Sequence, residues 1–536
     1  MYKITHRKIH TDINDNLAPK VHPLVTKLIS SRVSNVEVAN AIINPSLRSI
    51  QDPNELSDME IACERLVYAI THNQTIGIVA DCDCDGQSGH AILKLGLHNI
   101  FKHQSLISYV GKRSKGFGME QFTQEILRNK PHLIITTDTG STDEPTIKIL
   151  KQHGIDTIVT DHHILNGEYP PSACAVINPH IKGDKHLSGC MIAWFLLAGL
   201  SKLLPCKKSE LLELLDLATI GTIADLVSLS QSINNRTLLP LGLKCLNLKK
   251  RPAWQCFSDV INSSFISFTI APLINAAKRF HDVEVIQDFL LAPCLKSATQ
   301  AVQSLTGYNE KRKEVASHML TECRLIVKKE EQDKLPAICM ILPEGDASMC
   351  GIVASDLKGQ YQVTSVVLIQ QGEKLSGSGR AIEGMNLMEI FQKIKDLGYI
   401  SFFGGHKLAA GITLPVSMYD NFRQAFLEIS QRHQPSELIL EHDGEVPDID
   451  PEILMEIIHA LEPYGQGFPY PCFTTQIKII TQKVIKDKHI LIVGNIMGRN
   501  MTGFHFFTTK LLPKNPFVIL EFRDDRKLSF IIKNVL

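Results

Sequence analysis

Short apolar runs and longer amphipathic stretches alternate along most of this chain, and the texture of the alternation changes several times. Up to about residue 74 apolar positions recur at helical spacing, as in VHPLVTKLISSRV and LSDMEIACERLVYAITHN, which predicts a helical N-terminal segment. From there TIGIVA (75–80), HLIITT (132–137) and DTIVT (156–160) are brief, β-rich and apolar, and helix-like stretches such as SGHAILKLGLHNIFK and TDEPTIKILKQHG separate them. That order predicts an α/β fold with a parallel sheet covered by helices on both faces. MIAWFLLAGL (191–200) reads as a buried helix and SELLELLDLATIGTIADLVSL (209–229) as a long apolar one.

Residues 304–334 carry one long amphipathic period ending in a charged turn, a connector to a second α/β unit over roughly 335–436. That unit holds AICMIL, SVVLIQQ and two glycine-rich segments read as turns, SGSGRA and FFGGHKLAAG. Near the end, QIKIITQKVI, HILIVG, GFHFF, FVILEF and LSFIIKNV are five strand-like runs whose spacing predicts a small OB-like β-barrel. The expected division is 1–74, 75–333, 334–436 and 437–536.

Composition adds bounds. A chain of 536 residues, 44% hydrophobic and 21% charged, has the make-up of a soluble globular protein with several domains. No run approaches the ~20 apolar residues of a membrane span. MYKITHRKIHTD lacks the apolar core of a signal peptide, so a cytoplasmic protein is expected. Thirteen cysteines without a CxxC pair fit reduced thiols better than a disulfide framework. Net charge is zero, so a basic surface for nucleic acid would have to be local.

Charge matters most at the strand ends. TIGIVA leads into Asp81, HLIITT into Asp138 and DTIVT into Asp161. The first continues as DCDCDG, adding Asp83 and Asp85, and the third runs into His162 and His163. Ligands of open parallel sheets bind outside the carboxyl ends of the strands. Carboxylates gathered there repel one another unless cations neutralise them. Aspartate with histidine favours a hard or borderline ion such as Mn2+ or Mg2+, and a two-ion site can hydrolyse a phosphoester. A lone DxDxD is also compatible with a solvated loop. An EF-hand would need a preceding helix and a later glutamate, whereas a strand precedes this loop. Cys82 and Cys84 alternate with the aspartates and read as small packing residues, with a thiolate ligand as the alternative.

DCDCDG after a strand, TTDTG, TDHH and the Asp225 of IGTIADLV together resemble the DHH phosphoesterase superfamily. Over more than four hundred residues the order AVINPH, LSGCMIAWFLL, NNRTLLPLGL, APLINAAKR, YNEKRKE, GIVASDL, GSGRA, GGHKLAAG, LEPYGQGFPYPCF is similar to its bacterial exonucleases that degrade single-stranded DNA from the 5′ end. The resemblance implies a DHH catalytic domain at 75–333 with the N-terminal segment packed on it, a DHHA1-like domain at 334–436 and an OB-fold-like domain at 437–536. It implies two divalent metal ions, Mn2+ or Mg2+, on Asp81, Asp83, Asp85, Asp138, His162 and Asp225, with Asp138 as the bridge. His163, Asp161 and the His406 of Gly404-Gly405-His406 become catalytic. Arg113, Asn275, Arg279, Ser378 and Arg380 become contacts to DNA or its 5′-phosphate, with Gly377-Ser378-Gly379-Arg380 as a phosphate-holding turn in a cleft between two lobes.

Lys478, Lys483, Lys486 and Phe504 are candidate DNA contacts of the barrel, with solvated lysines and a core aromatic as the alternative. The implied activity releases 5′-mononucleotides in DNA repair and recombination, by a monomer whose partners are single-stranded DNA, a RecQ-type helicase and a single-strand-binding protein. Lys278, Ala381 and Phe468 depart from the family pattern; Lys278 is expected to alter the DNA grip near Arg279, and Phe468 the docking of the C-terminal domain. Two other readings stay open: a DHH phosphodiesterase for short RNA or dinucleotides, and a catalytically silent replication scaffold. The first would resemble only the two lobes; the second would have lost ligands that this chain keeps.

Overall fold

A computed structural model describes residues 3–18, 20–110, 118–165, 167–432, 439–524 and 527–536. The chain forms two compact units, one of residues 306–440 and one that combines 4–305 with 441–536.

In the larger unit β1 (Ile76–Ala80), β2 (Leu106–Val110), β3 (Leu133–Thr137), β4 (Asp156–Thr160) and β5 (Ala175–Ile177) form the expected parallel sheet, in the order β2-β1-β3-β4-β5. Every residue of β1 and β3 is buried, which is why these runs are uninterruptedly apolar rather than alternating. One face packs Val79, Tyr109, Ile134 and Val159 against Ile147 and Leu150 of the covering helix. The chain leaves β1 toward β2 on one side and returns to β3 on the other. The crevice at the ends of β1 and β3 is therefore the topological switch point, where such sheets bind ligands.

Three helices complete that edge. α1 (Cys84–Leu95) follows β1, and α2 (Gly189–Leu200) is buried almost all round. The long helix expected over 209–229 is instead broken at Leu214, into Lys208–Glu213 and α3 (Leu215–Ala224). The first piece is largely exposed, whereas the second is buried along nearly its whole length and includes Asp216, paired with Arg251. α3 stops at Asp225, and Leu226 at φ 60° turns the chain away. The N-terminal segment is helical as expected, over Thr11–Leu17, Pro23–Ser30, Val36–Ile43 and Met59–Thr71, with an unforeseen short strand, Lys3–His6.

The connector is a 35-residue helix, α4 (Leu295–Lys329), which starts upstream of the position expected. In the smaller unit β6 (Ala337–Leu342), α5 (Cys350–Tyr361), β7 (Thr364–Gln371), β8 (Lys374–Arg380), β9 (Phe402–His406) and β10 (Ala409–Pro415) build a mixed sheet ordered β9-β10-β8-β7-β6 over a core that includes Phe391, Phe422 and Phe426. SGSGR and FFGGH are therefore strands, not turns. A Cβ at Gly377 would lie 2.0 Å from the Val367 carbonyl oxygen, so this glycine permits close strand contact.

At the C-terminus the structure gives six strands rather than five. β11 (Phe473–Gln476), β12 (Lys478–Ile485), β13 (His489–Ile496), β14 (Arg499–Phe506), β15 (Phe517–Asp524) and β16 (Leu528–Val535) are ordered β11-β15-β16-β14-β13-β12. Only Ile477 separates β11 from β12, yet they occupy opposite edges, so the sheet must roll. Ile477 and Ile479 donate backbone N–H bonds to the carbonyls of Pro516 and Lys514, at 3.0 and 2.9 Å. These loop bonds bridge the roll; no ladder among the described strands closes it.

Phe468 is fully buried in the seam between the first 305 residues and this C-terminal part. The Arg236 guanidinium lies 3.6 Å from its ring centroid, and that of Arg32 lies 5.7 Å away. Arg236 donates to the carbonyls of Leu229 and Pro463 at 2.7 and 2.8 Å, and Arg32 binds Asp443 bidentately at 2.8 and 2.8 Å. Among the described residues no helix is long and apolar enough to cross a membrane.

Candidate metal centre

The three strand-end aspartates are held by one repeated device. Asp81 donates its backbone N–H to Thr137, Asp138 to Thr160 and Asp161 to Ile177, at 3.3, 3.0 and 3.1 Å. Each acceptor is the last residue of the neighbouring strand. Every aspartate thus extends the ladder by one bond before the chain departs, which fixes its Cα while the side chain projects beyond the edge. Asp138 does so with φ 59°, an uncommon left-handed backbone for a non-glycine residue.

Three overlapping donor groups result, each with ligand atoms within 4.8 Å of one another: Asp81, Asp83 and Asp138; Asp85, His162 and Asp225; and Asp138, His162 and His163. His162 Nε2 stands 3.2 Å from Asp138 Oδ1, 3.6 Å from Asp225 Oδ2 and 3.9 Å from Asp85 Oδ2. Asp138 and His162 are each shared by two of the groups, so this pair links all three. Asp83 caps α1 by accepting the N–H groups of Asp85 and Gly86. Asp85 accepts those of Gly189 and Cys190 at 2.7 and 3.1 Å, so a carboxylate of α1 caps the positive end of α2. Gly86 permits close approach, because a Cβ there would fall 2.6 Å from the Asp81 carbonyl oxygen. Gly189 likewise brings α2 onto Asp138, whose Cβ would be 2.6 Å from an added methyl.

Asp161 is turned into its own loop. Its Oδ1 accepts from the backbone of His162 and His163 at 2.8 and 3.2 Å and from His163 Nδ1 at 2.7 Å, and its Oδ2 accepts from Ser141 N–H at 3.0 Å. It orients the two histidines. Burial raises its carboxyl, but the hydrogen bond and charge of His163, then His162 and Ser141, outweigh that and hold it well below the usual range. The same pair lifts His163 to about 9, against the downward pull of burial. Asp138 is pushed well above the ordinary carboxylate value, first by burial and then by Asp85, Asp83, Asp81 and Asp225. Burial, with Asp85 and Asp83, takes Asp225 to about 9.

Five carboxylates in so small a buried volume cannot all ionise unaided. The set has the oxygen-rich, imidazole-supplemented chemistry that divalent Mn2+ or Mg2+ prefers, so the residues fit such ions. Burial beside aspartates pushes the thiols of Cys84 and Cys190 well above their ordinary value, and no cysteine belongs to a donor group among the described residues.

The other expected site residues scatter. Asn275 accepts the Cys84 N–H at 3.1 Å and so holds the acidic loop. Lys278 reaches Asp83 Oδ2 at 3.4 Å, and Arg279 follows it in the same turn. Arg113 lies outside the described residues. Ser378, Arg380 and His406 belong to the smaller unit. Ser378 is inside a strand paired on both sides, with Gly411 and Val367, so the backbone N–H groups there serve the ladder rather than an anion. Arg380 ends β8, and its Nη2 would lie 2.5 Å from a Cβ at Gly351 in the first turn of α5. A guanidinium and a helix N-terminus thus share one place. Lys478, Lys483 and Lys486 are exposed, whereas Phe504 lines a groove of about 1790 Å³ with Phe506, Phe507, Arg523, Lys527 and Lys533.

Sequence reasoning missed three supports: Ser141, the N-terminus of α2, and Asn178, whose Nδ2 donates to the His163 carbonyl and to Ser141 Oγ at 3.1 and 3.2 Å. AVINPH marked the position of Asn178 without indicating its role.

Residues 75–222 match the DHH family, N-terminal domain, and residues 335–431 the DHHA1 domain, which defines the class as a DHH–DHHA1 protein. The single-stranded-DNA-specific exonuclease RecJ of Escherichia coli is 29% identical over 579 aligned positions, covering 99% of both chains. That of Haemophilus influenzae is 30% identical, covering 87% of this chain and 85% of its own. The crystal structure of Thermus thermophilus RecJ in complex with Mn2+ superposes with a TM-score of 0.83 at 23% identity, over 100% of this chain and 79% of that one. The chain belongs to the RecJ family of exonucleases.

Proposed function

We propose that the protein is a single-strand-specific 5′→3′ DNA exonuclease that hydrolyses phosphodiester bonds with two divalent ions and releases 5′-mononucleotides in cytoplasmic DNA repair and recombination. The observation that carries this reading is the chain of three donor groups, linked through Asp138 and His162, at the switch point of a RecJ-family sheet. Divalent ions held there would supply Lewis-acid chemistry and acidify a water. Asp81, Asp83 and Asp138 form one cradle, and Asp85, His162 and Asp225 the other. Asp161 keeps His163 charged through neutral pH, so its imidazolium is available to stabilise charge on the phosphate undergoing transfer. His406 is a further catalytic candidate. Arg380, Ser378, Arg279 and Arg113 bind phosphate, with the 5′ end at Arg380 beside the helix terminus. The aromatic groove of Phe504 and Phe506 stacks bases of the same strand. A monomer, handed its substrate by a helicase and a single-strand-binding protein, completes the reading.

Degradation of long oligonucleotides carrying a 5′ or a 3′ label, with Mn2+ and an Asp138→Ala control, tests it. Mononucleotides released first from the 5′ label are expected. Survival of long strands while dinucleotides are cut would replace it with the phosphodiesterase reading, and no cleavage of either would favour the scaffold.

A further inference from the structure

Lys278 brings a permanent positive charge into the carboxylate cluster. It directly follows the helix Ala271–Ala277, and its Nζ lies 3.4 Å from Asp83 Oδ2, with both side chains mostly covered. The turn is anchored independently, because Asn275, three residues earlier, accepts the N–H of Cys84, the residue after Asp83. Two contacts from one turn therefore grip the acidic loop, one on its backbone and one on its charge. Burial raises the carboxyls of Asp81 and Asp225, and the lysine's charge opposes that rise at both, as a lesser contribution at Asp225.

The pairing is asymmetric with respect to the donor groups. Asp83 belongs to the group with Asp81 and Asp138, and not to the group of Asp85, His162 and Asp225. A cation arriving at the first group must displace the ammonium from Asp83 or sit beside it. Either course weakens its binding relative to the second group, where Asp85 is already fixed by two backbone N–H bonds from α2.

We propose that Lys278 is a resident counter-ion that makes the two divalent sites unequal, weakening the Asp81–Asp83–Asp138 site so that it fills second. The inference rests on the two-ion reading above. It gives Lys278 a role as a positioning and affinity-setting residue toward the metal, distinct from the grip on DNA expected from sequence.

Mn2+ titration calorimetry on the full chain, metal-stripped, tests it with wild type, Lys278→Met, Lys278→Gln and Lys278→Arg. Wild type should show a tighter and a weaker class of site. In the two neutral variants the weaker class should tighten by about tenfold, the lower end of what a unit charge a few ångströms away produces. The tighter class should change much less, and Lys278→Arg should resemble wild type. Thermal melts supply a readout that a merely structural role would not move. The neutral variants should melt lower than wild type in EDTA, having lost the ion pair, yet gain more on saturation with Mn2+. Wild-type binding with unchanged isotherms in both neutral variants, or weakening of both classes, would overturn the role of Lys278 alone. A wild type that binds no Mn2+ would overturn the two-ion reading and this inference together.

Discussion

Two buried ionic assemblies lie in the same compact unit, and they are balanced in opposite ways. At the sheet edge Asp81, Asp83, Asp85, Asp138 and Asp225 share a small volume, and the charge of Lys278 offsets only part of theirs. At the C-terminal seam Arg32 and Arg236 are buried, but each is matched: Arg32 by Asp443, and Arg236 by two carbonyls and the face of Phe468. The first assembly raises the proton affinity of four of its five carboxylates, all but Asp83 beside Lys278, and calls for an external cation. The second is met almost entirely from within, with Arg236 Nη2 left without a hydrogen bond, and although burial lowers Arg236 to about 9, it stays charged at neutral pH. Buried charge alone therefore does not mark a functional site; the surplus of one sign does.

Substitutions at the two places should differ in sign as well as size. Asp138→Ala should cut strand degradation by about a thousandfold, on the scale of losing a central electrostatic group. It should nevertheless raise the melting temperature in EDTA, because it relieves repulsion. A fall in that temperature would mean that the cluster is balanced after all. Asp443→Ala should do the reverse, costing about 3–5 kcal/mol of stability by stranding Arg32, with normal degradation below the melt. Denaturant unfolding at pH 7 measures the first effect and the labelled-strand assay the second.

Phe468→Leu keeps most of the volume but removes the ring face, and should cost about 1–2 kcal/mol in the same unfolding measurement. The smallest effect concerns acid. Burial raises the Asp443 carboxyl, but Arg32, Arg7 and the Cys472 N–H outweigh it and leave it depressed. Its stabilising contribution is thus complete above about pH 4, the unfolded value, and disappears as pH falls through the folded one. Unfolding of Asp443→Asn between pH 5 and 2 should show a shallower loss than wild type, by about one proton. Equal slopes would place the charge balance of the seam elsewhere.

The metal edge was largely legible because its information is local. A buried parallel strand is a continuous apolar run, and the residue after it stands at the ligand-binding edge, so Asp81, Asp138 and Asp161 could be located from pattern alone. Asp225 could not, since it ends a helix and no periodicity distinguishes it from an ordinary helix-terminal aspartate; the resemblance supplied it. The division of labour between Asp161, which orients, and its neighbours, which face the cluster, depends on rotamers and hydrogen bonds that spacing does not encode. SGSGRA and FFGGH were misread because glycine serves both turns and tightly packed strands, and the deciding contact, Gly377 against Val367, is between strands. β11 was missed apart from its last residue, Gln476, because a four-residue strand carries too little alternation to stand out. The consequence of Phe468 was visible as a departure, but the two arginines that enclose it come from positions 32 and 236.

The bonds from Asp81 to Thr137 and from Asp138 to Thr160 make the sheet a ruler. Neighbouring strands lie about 4.8 Å apart whatever their side chains, so the backbones of these aspartates inherit a spacing set by the peptide group. That pitch is commensurate with the roughly 3.5–4 Å between ions in two-metal sites once side chains lean inward. Insertions in the helices and loops between strands can therefore accumulate without detuning the centre. A single residue gained or lost within β1 or β3 would shift the scale by a full graduation and turn an aspartate to the opposite face.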